Sequence, residues 1–547
     1  MLRSIELQNF KCFGEPARIP IAPITLIFGQ NSAGKSSILQ ALYLLMQTRR
    51  CGDPKVPLLF RAENGLTDLG SFEEAVYDHD YENRCISIRL DVDFRCPHNA
   101  DPQSKEWFKS VDAQTMGLKL EFLRQADDGE VSLHGFELYI DDDSEPLARF
   151  ERSAAACADD KPKGSAHKAA SGSFNCVHLS RNSRYWTPYF ERKAKTCLEI
   201  EQFINSLDEE VRQGLEHRCQ ELLEQIKQAT TVDAFVQSWW SFWPIIPFLV
   251  STSEYFLPGR VCSARNAWES YGDETRDRLL NEKAEARLYE NETYPDQHVY
   301  HEREILPLVP PLNPANLSLA CAYNVHKAIS GLLALGPLRA RPERFYMFSG
   351  STPQGVGFYG ERAAEVLFRN PDLQEEVNSW LDQLDMGYAV EVGRLDAKYA
   401  SMFELRLRDT VRGGNCTVAL SDVGFGVGQV LPLIVQCLIT ESQTILVEQP
   451  EIHIHPALQA RLGKFFAESA KRKNNTFIVE THSEHLILRL QRLIRQGNLR
   501  PEDVSIICVS RGSNGSTTRQ MRLDDKGEFL DDWPGGFFTE RLRELLD

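Results

Sequence analysis

Gly29-Gln30-Asn31-Ser32-Ala33-Gly34-Lys35-Ser36 is the stretch on which the reading of this chain turns. It matches GxxxxGK[ST] in full, directly after the apolar run Ile24–Phe28 and before the helical run Ser36–Gln47. Strand, glycine-rich loop and helix in that order are what a phosphate cradle requires. The glycines let backbone N–H groups turn inward, and the helix N-terminus adds partial positive charge. Lys35 is expected to meet the β- and γ-phosphates and the Ser36 hydroxyl to ligate Mg²⁺, with Ser37 beside it. ATP and Mg²⁺ are therefore the expected cofactors.

Working outward, 547 residues suffice for two to four domains, and 42% apolar with 25% charged residues is ordinary for a chain with a sizeable core. The apolar run Trp243–Val250 is short and interrupted by Pro244 and Pro247. No stretch approaches the roughly 20 apolar residues that span a bilayer. The chain enters a strand pattern at Leu2, Ile5 and Leu7 without an apolar leader, so a cytoplasmic location with no membrane partner is expected. Thirteen scattered cysteines contain no CxxC pair, and Cys85, Cys96 and His98 fit no common zinc spacing. A net charge of −17 argues against a surface coated for nucleic acid, although a local basic groove stays compatible with it.

The pattern predicts an α/β fold in three regions. Residues 1–150 carry the P-loop half, with strands at Leu2–Leu7, Ile24–Phe28, Ile86–Val92 and Leu118–Phe122. Residues 151–330 combine a polar loop at Ser153–Ser173 with a compact helical insertion. That insertion holds an amphipathic helix through Leu198–Leu223 and an aromatic cluster at Trp239, Trp240, Phe242 and Trp243. Residues 331–547 return to alternating strands (Gln443–Glu448, Thr476–Glu480, Val504–Ser510) and helices, the signature of a parallel sheet. The insertion thus splits one nucleotide-binding head into two halves.

Three further motifs carry chemistry. The strand Thr444–Val447 ends in Glu448-Gln449-Pro450-Glu451, and an apolar strand with an acid at its tip is how a Walker B element holds Mg²⁺. His482, in Glu480-Thr481-His482-Ser483 after the strand Thr476–Val479, is within a strand's end of the γ-phosphate or the attacking water. Between them, Ser421-Asp422-Val423-Gly424-Phe425-Gly426-Val427-Gly428-Gln429 reads as a glycine-rich turn running into a helix at Val430–Ile439, again an anion-binding arrangement.

P-loop, glycine-rich turn, acidic strand and histidine, in that order around a helical insertion, resemble the ABC-type ATPases of the SMC, RecF and OLD group. Leu26–Ser37, Val423–Pro432, Glu448–Pro456 and the ending Trp533–Phe538 look closest to small SMC-like bacterial ATPases, the branch with the PtuA-type ATPases of Septu antiphage systems, some of them retron-associated. The resemblance implies two heads dimerising, or assembling further, around ATP, each P-loop closed by the partner's signature turn. Carried over, Lys35 and Ser36 bind phosphate and metal, Glu448 takes the Walker B role, Gly424, Gly426, Gly428 and Gln429 form the lid, and His482 is the switch histidine. It also implies a separate HNH-type nuclease partner. A RecF-like clamp on DNA, or contact with a retron nucleic acid, is the other reading of the partners.

Two departures from the pattern bear on activity. Gln449 stands where relatives carry the second acid that orients the attacking water, and a neutral amide cannot take a proton. Hydrolysis is therefore expected to be slow unless Glu451 substitutes. Gly426 occupies the place of the signature serine, leaving Ser421 to serve only in another register. OLD-type relatives add a Toprim nuclease after the last ATPase strands, and the stretch after Ser510 is too short for one. A transporter ATPase subunit fits poorly with so long an insertion.

Overall fold

A computed structural model describes residues 1–53, 56–95, 113–152, 174–179 and 314–533, apart from a few short loop positions within those ranges. The expected loop at Ser153–Ser173, the amphipathic helix, the aromatic cluster, and Cys96, His98 and Pro534–Phe538 lie outside the described residues.

The chain divides into two units, one of residues 1–47, 59–88 and 328–547, the other of 48–58 and 89–327. In chain order the first unit opens with β1 (Leu2–Gln8), β2 (Ala17–Pro20) and β3 (Ile24–Gly29), followed by α1 (Lys35–Cys51) and the short α2 (Phe72–Ala75). After β4 (Ile86–Asp93), the strands β5 (Thr115–Arg124), β6 (Val131–Ile140), β7 (Ala148–Arg152) and β8 (Phe174–Leu179) of the second unit run as an antiparallel meander. Then comes α3 (Pro314–Ser330).

The first unit resumes with β9 (Leu332–Leu335), β10 (Tyr346–Met347), α4 (Ala363–Arg369), α5 (Leu373–Gln383), β11 (Tyr388–Arg394), β12 (Met402–Asp409) and β13 (Thr417–Ala419). Next are α6 (Phe425–Ile439), β14 (Thr444–Glu448), α7 (Pro456–Lys473), β15 (Thr476–Glu480), α8 (Glu484–Arg495), β16 (Val504–Gly512) and β17 (Gly515–Met521). β10, β12, β11 and β13 form a small antiparallel sheet.

Function rests on the six-stranded sheet, ordered β17-β16-β3-β15-β14-β9. Four of its five pairings are parallel, and the β16–β17 hairpin at one edge is antiparallel. Thr-Ile-Leu-Val of β14 and Thr-Phe-Ile-Val of β15 are buried throughout, because helices cover both faces of a parallel sheet. Parallel strands deliver their C-terminal ends to one edge. Register sets Glu448 opposite Glu480, and Glu480 opposite Ile27. The loops that follow β3, β14 and β15 are thereby gathered at the place where open α/β sheets bind ligands.

The helices start where their caps dictate. Ser483 accepts a hydrogen bond from Leu486 N at 3.2 Å to start α8, and His455 accepts from Ala457 N at 3.3 Å ahead of Pro456 in α7. Asn474, with φ 54°, ends α7 in a left-handed turn. One expectation is corrected: the helix expected from Val430 begins at Phe425, with Gly424 at its N-cap. Val427 and Val430 are buried against the core, and that burial draws the glycine-rich stretch into the first helical turn. Trp533 packs on Phe28 at 5.3 Å between ring centroids, so the start of the expected closing motif braces the P-loop strand.

Candidate functional site

The P-loop follows β3 with Ser32 at φ 58° and Gly34 at φ 100°. A side chain at Gly34 would collide with Cys12 Sγ, and one at Gly29 with the Val509 carbonyl oxygen. Both glycines are thus required by close approach as well as by backbone conformation. Ala33 is buried behind the loop. Lys35 Nζ donates to the carbonyls of Gly29 at 3.1 Å and Gln30 at 2.8 Å. Burial lowers the Lys35 pKa, opposed by the charges of Glu480 and Glu451.

A cavity of about 640 Å³ opens over this loop. Asn31, Ser32, Gly34, Lys35, Ser36, Ser37, Gln449 and His482 line it, so eight of the residues singled out in the sequence converge there. Glu448, Glu451, Ser421, Gly424, Gly426, Gly428 and Gln429 are not among its lining residues.

Each of these takes a definite place. Glu448 lies beside Tyr43 of α1 and Arg339; burial pushes its carboxyl up to about 7, with Tyr43 and Arg339 opposing and Glu480 reinforcing the rise. Arg339 is itself pushed down to about 10 by burial and donates to the Gly336 carbonyl. Glu451 Oε1 accepts from His482 N at 2.6 Å, so this acid holds the histidine loop in place. Burial and the Lys35 charge lower the His482 pKa, which keeps the ring neutral near pH 7. Gln449 has φ 41°, an uncommon conformation for a residue with a side chain, and its N–H donates to the Glu480 carbonyl at 2.8 Å. Ser421 is exposed in a 3₁₀ turn, its hydroxyl 3.4 Å from Asp422, which is paired with Arg344.

Sequence reasoning missed two parts of this site. Lys11, whose Nζ donates to Gln40 Oε1 at 3.0 Å, forms one wall together with Cys12, Glu74 and His79. Nothing in the local sequence announces that wall, because long-range folding brings it there. The other is Glu480, whose Oε1 accepts from Ser36 Oγ at 2.9 Å. Glu480 is 2% exposed, and its Oε2 has no hydrogen-bond partner among the described residues. It caps an apolar strand as Glu448 does, and that was the available signal.

These residues fit a nucleoside triphosphate with Mg²⁺. Lys35, Ser36 and the start of α1 border the cavity, and the buried Glu480 carboxylate stands next to the Ser36 hydroxyl, with the Gln449 side chain also within its reach. Mg²⁺, when bound, neutralises charge on the phosphates. Lys35 and the P-loop would hold those phosphates and Ser36 would orient the cation; His482 and Gln449 line the same cavity.

Two families match the chain. The one described as "AAA ATPase domain" matches residues 1–239, and the one described as "AAA domain, putative AbiEii toxin, Type IV TA system" matches residues 267–489. No curated protein matches. Among solved structures, the chain is similar to the Smc head domain with an extended coiled coil, bound to the C-terminal domain of ScpA, from Pyrococcus furiosus. The two are 12% identical over 100% of this chain and 98% of that one, with a TM-score of 0.37. The SMC head domain from Thermotoga maritima is 11% identical over 95% and 99%, with a TM-score of 0.34. The Smc head domain with a coiled coil and joint from Pyrococcus yayanosii is 14% identical over 100% and 99%, also at 0.34. Overlaps this loose leave the fold to be read from the strand order and the P-loop, which define an α/β P-loop ATPase head. The two family matches, each over less than half of the chain, are to ATPase domains.

Proposed function

We propose that this chain is an ATP-binding head that works as a homodimer, or a higher homo-oligomer, with ATP held between copies. The observation that carries this reading is that the glycine-rich start of α6 does not line the cavity over the P-loop. α1 borders the cavity, whereas Gly424, Gly426, Gly428 and Gln429 at the start of α6 do not line it, and Phe425 there is 65% exposed. A second copy, turned to face the first, supplies the lid that one copy lacks. Turnover is slow, because Gln449, which borders the cavity where relatives carry the water-orienting acid, cannot itself accept a proton.

The finer reading is a PtuA-type ATPase of a Septu antiphage system that holds a separate HNH-type nuclease in check. Its support is the resemblance of Leu26–Ser37, Val423–Pro432 and Glu448–Pro456. The toxin–antitoxin wording of the second family accords with a harmful partner under control. The test is co-purification with an HNH-type protein encoded beside it, with phosphate release measured in Mg·ATP. A stable complex with slow turnover that Lys35→Ala abolishes is expected. A lone protein that hydrolyses ATP rapidly, and faster still with DNA, would replace this reading by a RecF-like clamp.

A further inference from the structure

Three acids stand near the phosphate loop, and their surroundings give them different work. Glu448, at the tip of β14, is turned to Tyr43 and Arg339 and is not a lining residue of the cavity. Glu451 Oε1 accepts from His482 N at 2.6 Å; its Oε2, like that of Glu480, has no hydrogen-bond partner among the described residues, but Glu451 is not a lining residue of the cavity. Glu480, at the tip of β15, lines the cavity and meets Ser36 Oγ at 2.9 Å. Strand order explains the difference: β15 lies directly beside β3, whereas β14 is one strand further away.

A serine hydroxyl has one proton to donate and two lone pairs. With its proton committed to Glu480 Oε1, the Ser36 oxygen keeps its lone pairs for a cation on the phosphates. Glu480 is 2% exposed, its second oxygen has no hydrogen-bond partner among the described residues, and the Gln449 side chain lies within reach of the carboxylate. A buried carboxylate oxygen with no partner is costly unless something occupies it. The outer partner of a metal ligand both orients that ligand and adds negative charge.

We infer that Glu480, rather than Glu448, is the positioning carboxylate of the nucleotide-bound cation, acting through the Ser36 hydroxyl. This rests on the ATP-binding reading above. Glu480 orients the serine and balances the cation's charge; without a cation, the same charge repels the phosphates. Neutralising it therefore has opposite effects on nucleotide with and without metal.

The experiment uses the full chain, with ATP affinity measured by calorimetry in EDTA and in Mg²⁺, and Mn²⁺ affinity of the ATP complex measured by electron paramagnetic resonance. Glu480→Gln keeps or improves ATP affinity in EDTA and weakens Mn²⁺ binding about 10–100-fold, the usual range for an outer-shell partner. Ser36→Ala weakens Mn²⁺ binding comparably, and the double variant loses little more than Ser36→Ala alone. Glu448→Gln loses less than Glu480→Gln. Mn²⁺ affinity within about twofold of wild type in Glu480→Gln, a larger loss in Glu448→Gln, or loss of ATP affinity in EDTA would each overturn the inference. In those cases wild type still binds ATP, and only the role of Glu480 falls; a wild-type chain that binds no ATP removes the ATP-binding reading as well.

Discussion

Ser36 and Glu480 stand 444 positions apart in the chain and meet at the head of the central sheet, hydroxyl to carboxylate, at 2.9 Å. The contact joins the helix that opens at the P-loop to the strand beside it. It predicts that Ser36→Ala, which leaves Glu480 buried without its hydroxyl partner, costs about 1–3 kcal/mol of stability in the absence of nucleotide. Ser36→Thr, which keeps a hydroxyl, should cost less. Urea unfolding of both variants checks this; equal midpoints would mean the contact contributes nothing to the fold.

Gly34 combines φ 100° with a direct approach to Cys12. Gly34→Ala should therefore abolish nucleotide binding in a calorimetric titration. Adding Cys12→Ala relieves the collision but leaves the backbone strain, so the double variant should recover only part of the affinity. Full recovery would show that the backbone angle is of no consequence.

Gln449 borders the cavity where a water-orienting acid is expected. Gln449→Glu supplies a proton acceptor, and phosphate release should rise at least about tenfold, within the range that general-base catalysis provides. An unchanged or lower rate would place the limiting step elsewhere.

In the second unit, burial and the Arg49 charge push His326 of α3 down to about 4. The folded state then binds fewer protons than the unfolded one between about pH 6.5 and 4, so stability is full above that window and falls as the pH drops through it. Discounted for its partial exposure, the loss amounts to about 1–2 kcal/mol. His326→Gln should flatten this part of the pH–stability curve by that amount, as read from urea midpoints at pH 7 and pH 4. A curve parallel to wild type would contradict it.

The P-loop was legible because its chemistry is contiguous: glycine, lysine and serine at fixed spacing determine the loop wherever the strand lies. The apolar runs at Thr444–Glu448 and Thr476–Glu480 were legible as strands for the same local reason. Which acid reaches Ser36 was not legible, since it depends on β15 lying between β3 and β14, a pairing that sequence periodicity does not encode. Lys11 and Cys12 were missed likewise, as their part in the cavity comes from the fold bringing β1's end to α1. The start of α6 was misjudged because glycine is a poor helix former, and the burial of Val427 and Val430 overrides that propensity.

The central claim is that ATP joins two copies through a site that one copy only half builds. The most direct measurement is the solution mass by light scattering, with and without Mg·ATP, for wild type and Lys35→Ala. Wild type should shift from a smaller species to at least a dimer when ATP is added, and Lys35→Ala should not shift. A mass that is the same with and without ATP, in a protein that demonstrably binds it, would contradict the claim.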